Sequence, residues 1–144
     1  MEKKDWTLLA IAAGRGVPVQ PIQLQKSLFL LGQERASFVP NFYRFEAYNW
    51  GPFDKAIFED AEKLEREGLI RIIRFQDRTW KEYLPTEEGT RKARELATVA
   101  PPKAVEYLRL ALEWTRSLSF PELLSEIYKQ YPSFKANSLF RDAA

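Results

Sequence analysis

The chain has 144 residues, 45% hydrophobic and 29% charged, which suits one ordinary globular domain with a core of its own. It has no cysteine and no histidine, which excludes a disulfide framework, a Cys/His zinc site and any mechanism built on a histidine base or a cysteine nucleophile. A net charge of +2 is too small to argue for nucleic acid by itself. The charged start, Met1 to Asp5, leads into only a short apolar run, so we expect no signal peptide, no membrane partner and a cytoplasmic location.

Asp5 to about Ala13 is predicted as the first helix, with Trp6, Leu8, Leu9 and Ala12 on its apolar face and Gly14 and Gly16 ending it. Gly14-Arg15-Gly16 is too short for a phosphate loop, and no Gly-Lys-Ser/Thr follows. A second helix starts at Pro21, which suits a first helical turn, and fades near Arg35. Its leucines Leu24, Leu28 and Leu31 place Gln23, Gln25 and Lys26 on the opposite, polar face. Phe42 to Tyr48 alternates aromatic and polar residues, the period of a short strand. Gly51-Pro52 then opens a third helix with Phe53, Ile57, Ala61 and Leu64 on one face and Gly68 as its left-handed cap.

Leu69–Phe75 and Trp80–Leu84 are predicted as the two strands of a ribbon, turning through Gln76 to Thr79. Thr86 caps a fourth helix running from Glu87 to about Thr98. Pro101-Pro102 is the clearest boundary, dividing residues 1–100 from a helical extension over 101–144. A fifth helix spans about Lys103 to Leu118. Ser119 and Glu122 have the spacing of a capping box and start a sixth with Leu123, Leu124, Ile127 and Tyr128. Tyr131-Pro132 ends it, and the tail from Ser133 to Ala144 has room for one more turn or frays. The expected fold is mainly α with a small β-hairpin wing: a winged helix-turn-helix with a C-terminal helical extension.

Charge separates the candidate surfaces. The third helix, read as Gly51 to Gly68, has three positive and six negative side chains, which opposes a phosphate-facing role. The ribbon carries Arg71, Arg74, Arg78 and Lys81 against Asp77 alone, with Phe75 and Trp80 beside its turn. Such a ribbon can follow a phosphate backbone, with Lys26 and Lys55 in support, although edge strands also carry cations merely to resist aggregation. The basic residues of the fourth helix, Arg91, Lys92 and Arg94, are balanced by Glu87, Glu88 and Glu95.

The aromatics Phe42, Tyr43, Phe45, Tyr48, Trp50 and Phe53 are dense enough that some serve as core and others can anchor a protein partner. With Gln25 and Lys26, the residues Tyr48, Trp50 and Phe53 are the candidate partner-binding set. The fifth helix is apolar around much of its girth, so Leu108, Leu112 and Trp114 are candidates for pairing two chains into a homodimer. No acidic pair sits in an apolar setting that would shift its pKa, so we expect no enzyme, no cofactor and no metal.

Several of these segments resemble a known group. Leu24-Gln25-Lys26 with Leu28-Phe29-Leu30, Phe45-Glu46-Ala47-Tyr48 with Trp50-Gly51-Pro52, and Glu67-Gly68-Leu69-Ile70 resemble the SocA-type antitoxin, or Panacea, domain and the YwgA-like bacterial proteins of similar plan. Tyr83-Leu84-Pro85-Thr86-Glu87-Glu88-Gly89 is similar to the run after the wing in PadR- and MarR-like regulators. The first resemblance covers about residues 5 to 98 and implies a regulatory binding protein that holds a toxin-like protein partner. The second, with the basic ribbon, implies a dimeric DNA-binding transcriptional regulator. The two can coexist.

Overall fold

The computed structural model describes residues 1–140; the final residues 141–144 of the expected tail lie outside the described residues. Six helices alternate with two hairpins: α1 (Lys3–Ala12), α2 (Pro21–Glu34), β1 (Glu46–Tyr48), β2 (Gly51–Phe53), α3 (Ala56–Arg66), β3 (Ile70–Ile73), β4 (Glu82–Pro85), α4 (Glu87–Val99), α5 (Pro102–Arg116) and α6 (Phe120–Gln130). A 3-10 turn at Pro132–Lys135 follows α6. Among the described residues no helix is long and apolar enough to cross a membrane.

The helix starts follow local hydrogen-bond chemistry. Thr86 Oγ1 accepts from the Gly89 amide at 3.0 Å and donates to the Gly68 carbonyl at 2.7 Å, so one hydroxyl caps α4 and ties it to the end of α3. Ser119 and Glu122 exchange side-chain-to-backbone bonds of 3.2 and 2.8 Å at the start of α6, a complete capping box. Gly68 ends the α3 turn at φ 78°.

The hairpins are antiparallel. β3 and β4 pair Ile70 with Pro85 through Ile73 with Glu82. Val19, just before α2, joins them by a two-way bridge to Tyr83, with N···O distances of 2.8 and 2.9 Å.

The second hairpin corrects the sequence reading. Gly51-Pro52 does not open a helix. It forms β2, paired back onto β1 as Tyr48 with Gly51, Ala47 with Pro52 and Glu46 with Phe53. Gly51 adopts φ 91° beside the Asn49-Trp50 turn, a conformation open to glycine, and alternate pairs of an antiparallel ladder exchange no hydrogen bonds, which accommodates Pro52. The helix instead begins at Ala56, whose amide donates to Asp54 Oδ1 at 2.9 Å. Only Glu46–Tyr48 of the expected Phe42–Tyr48 strand pairs; Tyr43 turns inward, where its hydroxyl bonds Thr7 at 2.7 Å and Asp60 at 2.6 Å.

α2 lies between two buried clusters. Leu24, Leu28 and Leu31 face α1, α3 and α5, where they meet Ile11, Ile57, Leu64, Leu108 and Leu112. Phe29 and Leu30 face Ala111, Leu123, Leu124 and Ile127. Every residue from Leu24 to Leu31 is therefore buried. Pro101-Pro102 separates two helices and not two cores, since Ala104, Leu108 and Leu112 of α5 belong to the same cluster as α1 to α4. Leu108 and Leu112 are accordingly interior side chains and present no dimerisation surface; Trp114 is only partly buried.

Candidate functional site

The β1–β2 hairpin is held from beneath by the two polar residues that the sequence reading placed on an outer face. Lys26 is 3% exposed, and its Nζ donates to the Pro52 carbonyl at 3.0 Å. Gln25 makes a matched pair of bonds with Asp54, its Nε2 donating to the Asp54 carbonyl at 2.9 Å and its Oε1 accepting from the Asp54 amide at 3.1 Å. Asp54 Oδ2 also accepts from the Arg44 amide at 2.8 Å. Gln25 and Lys26 are thus not available to a partner or to DNA in this conformation. Burial puts both sides of α2 under cover, so their polar atoms must find internal partners, and the hairpin backbone supplies them. Among the described residues no acidic side chain pairs with Lys26, and burial pushes its pKa down to about 7. A Cβ at position 51 would come within 3.2 Å of Lys26 Cε, so Gly51 leaves the room this lysine occupies.

The C-terminal segment grips the same hairpin from its side. The Leu139 amide donates to the Asn49 carbonyl at 2.9 Å, and Asn137 Nδ2 donates to the Ala47 carbonyl at 3.1 Å. Ser138 Oγ also donates to the Asn49 carbonyl at 3.3 Å and meets the Tyr128 hydroxyl at 2.6 Å. The hairpin tip is therefore fixed from α2 and from the tail.

What this scaffold displays is aromatic. Tyr48 is 52% exposed, Trp50 44% and Phe120 43%, and Leu139 is exposed beside them. Trp50 and Phe120 meet edge to face at 5.6 Å. Tyr48 stacks on Phe53 at 5.1 Å, and the row continues through Phe58 to Tyr83 with centroid separations of 5.7 and 6.4 Å. Rings placed this way are rigid anchors that lose little conformational freedom on binding. Of the candidate partner-binding set, Tyr48 and Phe53 stack on one another while Trp50 meets Phe120; Phe120 and Leu139 were not in that set. Phe120 stands at the start of α6 behind its capping serine, which is a local signal. Leu139 carries none, because only the tail's hydrogen bonds to Asn49 place it here.

The basic ribbon lies across α3. Arg71 is exposed and has no acidic partner among the described residues. Arg74 is bound at both guanidinium nitrogens to Glu65 of α3 at 3.0 and 3.1 Å, and this contact holds the Glu65 carboxyl below its usual range. Arg78 lies over Phe75 and Trp80 at 4.5 and 5.2 Å from their ring centroids, with Glu82 at 4.0 Å. Lys81 is half-buried beside a cavity of about 260 Å³ that also reaches Phe58, Trp80 and Tyr83. Lys55 is exposed at the entry to α3, while Glu59 and Glu62 are exposed along it. The cations expected to act together are therefore divided: Lys26 is interior, Arg74 is engaged by Glu65, and Arg71 and Arg78 remain on the surface.

No family model, curated protein or solved structure matches the chain.

Proposed function

We propose that this chain is a non-enzymatic, cytoplasmic regulatory binding protein of the winged-helix, SocA antitoxin-like class, acting through protein–protein contacts. The order α1, Val19, α2, α3, β3 and β4, with Val19 bridging Tyr83 as a short third strand, supports a winged-helix reading. The observation that carries the function is the exposed pair Tyr48 and Trp50 on a hairpin fixed from two sides, with Phe120 of α6 against Trp50. Surface aromatics on a rigid support are what binding hot spots are made of. The same hairpin holds the Phe45–Pro52 segment that resembles the SocA-type domain.

Nuclease-treated pull-down from the source cell tests this, using the wild-type chain beside Tyr48→Ser and Trp50→Ser. A stoichiometric protein retained by the wild type and lost by either variant is the expected result. Equal retention by both variants, or recovery of nucleic acid alone, would overturn it.

A second reading, a dimeric DNA-binding regulator using the wing, is favoured by exposed Arg71 and by Arg78 stacked beside Trp80. The exposed acids of α3 oppose a helix in the major groove, so DNA contact would rest on the ribbon. A dimer through α5 would use its outer face, where Leu110 is exposed and Trp114 half-buried, because Leu108 and Leu112 are already covered.

A further inference from the structure

α1, α4 and α5 converge without closing, and they leave a cleft of about 300 Å³ on the side of the molecule they share. Its floor comes from three helix faces. Leu9, Ala12 and Ala13 end α1, Ala93 and Ala97 lie one turn apart on α4, and Val105 and Leu108 do the same on α5. Alanines at these places would let helices pack tightly; here the space stays open. The floor offers one hydroxyl, Thr90 Oγ1, which already donates to the Thr86 carbonyl at 3.0 Å. A sugar or nucleotide would leave its polar groups unsatisfied there.

Three cationic residues, Arg15, Arg94 and Arg109, are among those that line the cleft. Arg109 is held by Glu106 and Glu113 at 2.9 and 3.1 Å. Arg15 and Arg94 have no acidic partner among the described residues. Arg15 projects from the turn after α1 with left-handed backbone, φ 53°, so its place is set by that turn. A mostly apolar lining that includes two arginines without an acidic partner among the described residues is complementary to a molecule with an apolar body and an anionic end. The cleft's size is at the low end of small-molecule sites.

We propose that this cleft binds a small amphiphilic monocarboxylate, with its chain on Ala12, Ala93 and Ala97 and its carboxylate between Arg15 and Arg94. The site is separate from the aromatic edge and stands whether or not that edge binds a protein.

Octanoate is a suitable probe, and octylammonium, with the same tail and opposite charge, is its control. Amide resonances of the full chain are followed during titration with each. Saturable shifts confined to residues 12–15, 90–97 and 105–109 are expected with octanoate. Binding of octylammonium is expected to be weaker by about tenfold or more, as the loss of a charge-assisted hydrogen bond implies. The double variant Arg15→Gln, Arg94→Gln should lose a similar factor, and Ala97→Leu should block the cleft. Thermal melts of both variants show whether each is folded, and if Ala97→Leu unfolds, the arginine variant carries the test. Equal binding of the two probes, shifts centred elsewhere, no shift with octanoate, or undiminished binding by a folded arginine variant would each overturn the proposal.

Discussion

Replacing Lys26 by methionine should change how stability depends on pH, in a direction and size that follow from its surroundings. The amine is buried with a single hydrogen bond, to the Pro52 carbonyl, and burial takes its pKa from 10.5 to about 7. Above about 7 the folded chain therefore holds a neutral amine, while the unfolded chain stays protonated up to 10.5. The unfolded state binds more protons across that window, so stability climbs with pH there, by up to ~1.4 kcal/mol per pH unit. Summed over the window this is roughly 4–5 kcal/mol as an upper figure, and between about pH 7.5 and 9.5 roughly 2–3 kcal/mol. Lys26→Met removes that dependence and leaves the Pro52 carbonyl without its donor, at a pH-independent cost of ~1–3 kcal/mol. Tyr43, Tyr83 and the partly buried Tyr131 are all pushed up by loss of solvent and so titrate above this range. Urea unfolding of both chains across the window is the assay. The difference in unfolding free energy, wild type minus variant, should rise steadily with pH. Parallel curves would show that the lysine titrates normally, and the buried-amine account of the hairpin's support would then be wrong.

A Cβ at Gly89 would sit 1.8 Å from the Leu69 carbonyl oxygen, so Gly89→Ala must push α4 away from the backbone just before β3; a loss of ~3 kcal/mol or more is expected in thermal melts, and an unchanged midpoint would refute that packing. Leu112→Ala should cost ~2–5 kcal/mol of monomer stability, because the side chain is fully buried in the main core; a stable variant that only changes its sedimentation would restore a dimer role for this residue. If the wing binds DNA, Arg71→Ala and Arg78→Ala should each lower the log–log salt slope by about 0.9, and Arg74→Ala by less because Glu65 already engages it. Anisotropy titrations at several salt concentrations read this directly, and an unchanged slope in the Arg71 and Arg78 variants would exclude the ribbon.

The amino-acid sequence by itself determined where α2, α4 and α6 start, although not α3. Pro21 acts through its own fixed backbone angle, and Thr86 and the Ser119–Glu122 pair through bonds to residues three positions away, so their meaning is complete within one turn. The ribbon over β3 and β4 and the left-handed cap at Gly68 were legible for the same reason. At the candidate site, the density of aromatics around Tyr48 to Phe53 also showed in the sequence. Tertiary structure alone decided which groups are inside. Leu24, Leu28 and Leu31 define one apolar face of α2, but α6 covers the other, and this turned Gln25 and Lys26 from surface residues into the internal support of a hairpin. It decided likewise that Gly51-Pro52 is a strand, because Tyr48 pairs with Gly51 while Asp54 takes the first amide of α3. Phe120 and Leu139 joined the aromatic edge through contacts with residues about seventy or more positions away, a distance over which no local pattern of spacing or capping reaches.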